Sequence, residues 1–424
     1  MSKDDISTTT TISKEFSQGL SLITLKRPSV TEYFITVVPT PGRHETAMFA
    51  EVADILRRND AQIISQDIFT SLDGDRSTMQ TIQDTIGPLQ WPITCIDSAS
   101  ASSFAGTQIW AVSGIDVQRL MLYGTVVGSL WEDNYAKYCR LGGLSSRDTS
   151  SSREAQAHEI FDQMETALAS GGMELSNILR TWFYLDDILA WYGDFNKVRD
   201  GFYSDKGIFN GLVPASTGIG GSNITGSAVM GGLVAVEPKN SNIQTKAVAS
   251  PLQCPALDYG SSFSRAVELT SPCHRRLFVS GTASIAPEGH TVHLDDVDAQ
   301  VAKTMEVVYA ILKSRGMDWS DVVKATAYVK EADDIPAYHK YCTVNKLPPM
   351  PIVVANSTVC REDLLFEVEV DAIKKGRRAS PDHCVCESSL LRNKKGQKSK
   401  DIVAVRELPQ HKTKGREQVK PGKT

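Results

Sequence analysis

The chain has 424 residues, 41% of them hydrophobic, with 45 basic and 50 acidic side chains and a formal charge of −5. That balance belongs to a globular protein and excludes a wholly disordered or collagen-like chain. The charge is unevenly placed: between Gly376 and Thr424 stand 13 basic and five acidic residues, so this end carries +8 and the rest of the chain −13.

No window reaches the ~18 apolar residues of a membrane span. The opening residues lack the basic and apolar regions of a secretory leader, so a soluble, cytoplasmic protein is expected. Eight scattered cysteines fit reduced core residues better than a disulfide framework.

In chain order, residues 1–30 are expected to be disordered. Tyr33 to Val38 reads as a strand ended by the turn Pro39-Thr40-Pro41-Gly42. Met48, Phe49, Val52, Ile55 and Leu56 then recur at helical spacing, and Gln62 to Phe69 reads as a second strand, a β-α-β opening. Further on the chain repeats itself with a constant offset of 144. Gln156 aligns with Gln300, Gly172-Met173 with Gly316-Met317, and Tyr184 with Tyr328, without a gap.

Both copies read alike. A hairpin (Leu120 to Ser129 with Tyr138 to Leu144, or Arg276 to Ser284 with Thr291 to His293) precedes an amphipathic helix closed by glycine. A strand follows, Ile178 to Leu185 or Val322 to Val329, then a helix, Ala190 to Tyr203 or Ile335 to Thr343. Two strands close each copy. The expected fold class is therefore α+β: two tandem modules, each a mixed sheet with two helices on one face. Residues 31–238 hold the β-α-β segment and first module, 250–374 the second module, and 376–424 a disordered basic tail.

The second copy carries Ser262-Phe263-Ser264-Arg265-Ala266, then Ser280-Gly281-Thr282, Pro349-Met350-Pro351 and Glu367-Val368-Glu369. In order and spacing these resemble the motifs of the Rid (YjgF-like, endoribonuclease L-PSP) family over about residues 250 to 374. The first copy resembles the family more weakly over about 118 to 238. Two such modules in one chain are also similar to the chorismatases, which split the enolpyruvyl ether of chorismate. The resemblance implies a site in a cleft between modules, a cofactor-free reaction on a small carboxylated substrate, and self-association, since single-module relatives are trimers. The family's carboxylate-binding arginine is missing: Ser216 stands there in the first module and Pro351 or Val353 in the second. Arg265 and Arg361 are the substitutes expected to bind an anion.

Glu367 and Glu369 alternate along the last strand and share a face. A carboxyl among apolar neighbours has its pKa raised and delivers a proton near neutral pH, as enol-ether or enamine chemistry needs. Glu369 is placed ahead of Glu367 by alignment. Ser280 and Gly281 are expected to hold a substrate oxygen, Phe263 to wall the substrate, and Cys360 to line the pocket or fill the core. No metal is expected; His383-Cys384-Val385-Cys386 is half a zinc site without a second half. Nucleic acid is not an expected partner either, because the basic tail has no aromatic residue to stack on bases. Three functions remain open: a chorismatase-like hydrolase or lyase, an imine deaminase of altered specificity, and a non-catalytic metabolite- or RNA-binding protein.

Overall fold

In the computed structural model, which describes residues 10–72, 75–98 and 104–376, one order of elements occurs three times. The first module runs β1 (Thr11–Ser17), β2 (Leu20–Lys26), β3 (Thr31–Val37), α1 (Glu45–Arg58), β4 (Gln62–Thr70), α2 (Asp75–Ile86), β5 (Ile93–Asp97), β6 (Phe104–Ser113). The second runs β7 (Gln118–Leu122), β8 (Thr125–Glu132), β9 (Ala136–Ser145), α3 (Arg153–Ser170), β10 (Ile178–Leu185), α4 (Ile188–Asp205), β11 (Ala215–Gly220), β12 (Val229–Pro238). The third runs β13 (Gln244–Val248), β14 (Ala266–Thr270), β15 (His274–Ala283), α5 (Val297–Ser314), β16 (Val322–Val329), α6 (Ile335–Val344), β17 (Ile352–Asn356), β18 (Phe366–Lys375). Each makes a six-stranded mixed sheet in which the last strand lies between the third and fourth, and the fifth, parallel to the fourth, forms an edge.

Sequence spacing makes the helical faces. Ala157, Ile160, Phe161, Met164, Ala167 and Leu168 form the buried stripe of α3, and Val301, Met305, Val308, Ile311 and Leu312 that of α5. Ser152 and Asp296 cap these helices by accepting the N–H groups of Ala155 and Ala299. At the other end Gly172 and Gly316 adopt φ of 65° and 64°, and Met173 and Met317 donate N–H back to Leu168 and Leu312. This closure favours a residue without a Cβ.

The α+β class stands, with one change of count. The β-α-β opening belongs to a complete first module, and residues 11–26, expected to be disordered, form its β1–β2 hairpin. Leu20, Leu22, Ile23 and Leu25 bury that hairpin, while the exposed polar face of β1 conceals it in the sequence. Leu120 to Ser129 is not one strand either. Tyr123 and Gly124, with φ of 51° and 82°, turn it back on itself between β7 and β8, the conformation of a tight hairpin. Strand β15 pairs with β14 and β18, and the expected hairpin to Thr291 shrinks to one bridge from Ile285. The amino-terminal nine residues and the tail from 377, including His383-Cys384-Val385-Cys386, both expected to be disordered, lie outside the described residues. No helix among the described residues is long and apolar enough to cross a membrane.

The three sheets turn their helix-free faces toward each other around a shared core. At its centre Phe69, Tyr184 and Tyr328 occupy equivalent positions on β4, β10 and β16. The Phe69 ring lies 6.3 Å from each tyrosine, edge to face. The modules close in a ring: β4 and β5 rest on β9, β11 on β15, and β16 and β17 on β3 and β6. One chain thus builds what three single-module subunits would build by association, a pseudo-trimer with three module junctions.

Candidate active site

The junction between the second and third modules holds both carboxyls of the last strand. The β15–β18 ladder slips between Val279 and Thr282, and this bulge presents Ser280-Gly281 to β11. The Ser280 hydroxyl accepts the Ser216 N–H at 2.9 Å and donates to the Ser264 carbonyl at 2.5 Å. It is fully buried and staples module to module. Gly281 donates its N–H to Thr217 Oγ1 at 3.0 Å. A Cβ at this position would stand 2.0 Å from Glu367 Oε1, so only glycine leaves room for that carboxyl.

The two glutamates differ in surroundings. Glu369 Oε2 accepts from Arg180 Nη2 at 2.6 Å, Trp182 Nε1 at 2.9 Å and Thr217 Oγ1 at 2.5 Å, and Oε1 accepts from Tyr328 at 3.3 Å. It is tied into a buried pair with Arg180 and does not line the cleft. Glu367 borders a cleft of about 240 Å³. Burial, followed by the nearby Glu369 charge, pushes its carboxyl up to about 8 against the counter-pull of Arg180. Of the two, Glu367 is therefore the carboxyl at the cleft and Glu369 its buried, paired neighbour.

Of the other expected residues, Phe263, Arg265, Gly281, Cys360 and Arg361 line the same cleft. Arg265 donates Nε to the Cys254 carbonyl at 3.0 Å, with its guanidinium 5.6 Å from the Phe263 ring. Arg361 donates to the Gly289 carbonyl at 2.9 Å. Burial, and then the Glu367 charge, push the Cys360 thiol up to about 12, so it is a neutral thiol on the cleft wall.

Sequence reasoning missed the groups from the second module: Arg180, Trp182 and Thr217 behind the carboxyls, and Tyr192, Asn196 and Arg199 of α4 along the cleft. A clue was available in Arg180, the only charge in the fully buried strand Ile178–Leu185.

The other two junctions lack the carboxyl pair. Strand register sets Glu367 and Glu369 opposite Tyr328 and Thr326, Met230 and Gly232 opposite Tyr184 and Trp182, and Gly106 and Gln108 opposite Phe69 and Asp67. At those junctions Gly106 packs against Val353, and Gly143 against the Ile93 carbonyl. The same register makes Ile352 the counterpart of Ser216, so no arginine stands on β11 or β17 at the family's position.

Residues 256–374 match the family model for endoribonuclease L-PSP. A chorismatase of Streptomyces rapamycinicus is 30% identical over 221 residues, which cover 47% of this chain and 65% of that protein, just under two thirds of its length. A RutC family protein of Pyrococcus abyssi is 32% identical over 103 residues, covering 23% of this chain and 79% of its own. The crystal structure of a chorismatase superposes with a TM-score of 0.58 over 80% of this chain and 98% of that one, at 18% identity, a likeness of fold. A 32% match over four fifths of a relative, the family model on the third module and the repeated topology agree: the chain belongs to the Rid (endoribonuclease L-PSP) superfamily, in a tandem, chorismatase-like form.

Proposed function

We propose that the protein is a cofactor-free, chorismatase-like hydrolase that cleaves the enol ether of a small carboxylated substrate, with Glu367 as general acid. The observation that carries this reading is a buried carboxyl that holds its proton at neutral pH and opens onto a cleft. Glu367 gives that proton to the methylene carbon of the enol ether, leaving an oxocarbenium ion. Water then attacks this ion, and the Glu367 carboxylate takes the water's proton and is restored. The resulting hemiketal then collapses: its C–O bond to the ring oxygen breaks, its hydroxyl becomes the ketone of pyruvate, and the hydroxyl proton passes to the ring oxygen, so that pyruvate and the ring alcohol leave.

Glu369 adds to burial in holding Glu367 protonated, while Arg180, Trp182 and Thr217 hold Glu369 in place. The similarity to a chorismatase supports chorismate as the substrate to try. The protein is incubated with chorismate and pyruvate is trapped by lactate dehydrogenase and NADH; in parallel, ammonia release from an unstable amino-acid-derived imine is followed. Pyruvate without ammonia is expected. Ammonia without pyruvate assigns the deaminase reading, and neither product removes both.

A further inference from the structure

The fifth strands of the three modules, β5, β11 and β17, end together, and three hydrogen bonds close a ring between their ends. Asp97 N–H donates to the Ser222 carbonyl at 2.8 Å, Gly220 N–H to the Thr358 carbonyl at 2.8 Å, and Asn356 N–H to Ser98 Oγ at 3.1 Å. Strand register makes Asp97, Gly220 and Asn356 equivalent, and with them Ser98, Gly221 and Ser357. The bond from Asn356 ends on the Ser98 hydroxyl, whereas the bond from Gly220 passes over Ser357 to the next residue. The Ser357 hydroxyl is thereby left over: the residue is 7% exposed, and its Oγ makes no hydrogen bond among the described residues. A buried hydroxyl in this state is unfavourable until something bonds it.

Ring residues and Ser357 border a pocket of about 260 Å³ that also gathers groups of both charges. Asp97 and Asp187 bring carboxylates. Asp97 accepts the Leu72 N–H through Oδ1, and Asp187 lies 3.6 Å from Arg153. Positive character comes from Lys330 and from the amino end of α4, whose Ile188 and Leu189 stand in the pocket wall. The N-cap of this helix, Asp187, makes no side-chain capping bond, so the N–H groups of the first turn keep their capacity to bind an anion. Leu189 in the wall and Leu72 next to Asp97 are exposed apolar side chains.

We propose that this pocket is a second ligand site, separate from the cleft of Glu367, and that it takes an α-amino acid with an apolar side chain as a regulator. The ammonium pairs with Asp97 and Asp187, the carboxylate bonds Ser357 Oγ and the first N–H groups of α4, and the side chain covers Leu189. Pocket and cleft share their walls. Helix α4 gives Asp187, Ile188 and Leu189 to the pocket and, one and two turns on, Tyr192 and Asn196 to the cleft. Strand β11 gives Gly220 to the pocket and Ser216 and Gly218 to the cleft, and the segment that carries Ser357 and Thr358 at the pocket runs on to Cys360 and Arg361 at the cleft. A ligand that orders these walls changes the cleft's affinity. The regulatory role rests on the cleft being the catalytic site; the binding site does not.

Binding is tested by calorimetry on the full chain with L-leucine and L-phenylalanine, against isocaproate and isoamylamine, which lack the ammonium and the carboxylate. Saturable binding of an amino acid, about tenfold tighter than either control, is expected. Ser357→Ala and Asp97→Asn should each weaken it by about tenfold. Ser357→Ala should leave the melting temperature of the free protein unchanged or higher, because its hydroxyl bonds nothing in the fold, and Glu367→Gln should bind the amino acid as the wild type does. In the pyruvate assay the amino acid should shift the KM for chorismate by about fivefold, by a factor that levels off at saturation.

The proposal is overturned if neither amino acid binds, or if binding withstands both Ser357→Ala and Asp97→Asn. A KM that climbs without limit places the amino acid in the cleft and overturns it too, and a constant KM refutes the regulatory role. The calorimetry needs no turnover, so it decides the site even where chorismate yields no pyruvate.

Discussion

Replacing Glu367 by glutamine removes the proton the reaction uses and should at the same time stabilise the fold at neutral pH. The carboxyl is raised from 4.5 to about 8 in the folded protein. Between those values the unfolded chain ionises while the folded chain stays protonated, so native stability falls with rising pH by about 1.4 kcal/mol per unit. The loss begins above the unfolded value and stops growing above the folded one, at roughly 5 kcal/mol in all. Glutamine is neutral throughout and nearly isosteric, so it escapes this loss. Glu367→Gln should exceed the wild type by about 1 kcal/mol at pH 5, about 3 kcal/mol at pH 7 and about 5 kcal/mol above pH 8. Urea unfolding at these three pH values measures the gap, and the coupled pyruvate assay should show a loss of about 10²–10⁴-fold in kcat. A stability gap that does not change with pH, or activity within tenfold of the wild type, refutes the assignment.

Three further outcomes follow from the same geometry. Wild-type kcat/KM should be flat below about pH 8 and fall about tenfold per unit above it, as Glu367 loses its proton; a profile flat to higher pH contradicts a carboxyl donor. Gly281→Ala places a Cβ 2.0 Å from Glu367 Oε1, so it should cost about 1–3 kcal/mol by overpacking and lower kcat together with stability, read by unfolding and the pyruvate assay. Arg180→Met should cost about 3–5 kcal/mol by leaving Glu369 buried and unpaired, and adding Glu369→Gln should return most of that loss in denaturant unfolding.

Much of the second and third modules was legible because the copies align without a gap. Strands Ile178–Leu185 and Val322–Val329 have the expected bounds. The first module escaped because its counterparts have diverged: Phe69 stands where the others have tyrosine, and Gly106 and Gln108 where the third has glutamates. Strand β13 escaped because Gln244–Val248 is a largely exposed edge, so no hydrophobic alternation marks it.

At the site, the motifs pointed to Glu367, Gly281, Phe263 and Arg265 but not to their division of labour. The ladder sets both glutamates on one face, and a partner 189 residues away, Arg180, pairs with Glu369 and leaves Glu367 at the cleft. Ser280 looked like a substrate ligand from its place in the motif, yet its hydroxyl is consumed by Ser216 and Ser264 across the junction.

The most direct test of the central claim is a titration of Glu367 itself, by carboxyl-carbon NMR of protein labelled with ¹³C-glutamate, using Glu367→Gln to assign the resonance. A carboxyl that stays protonated through neutral pH and titrates near 8 is predicted. A Glu367 resonance that titrates near the ordinary 4.5 contradicts the account.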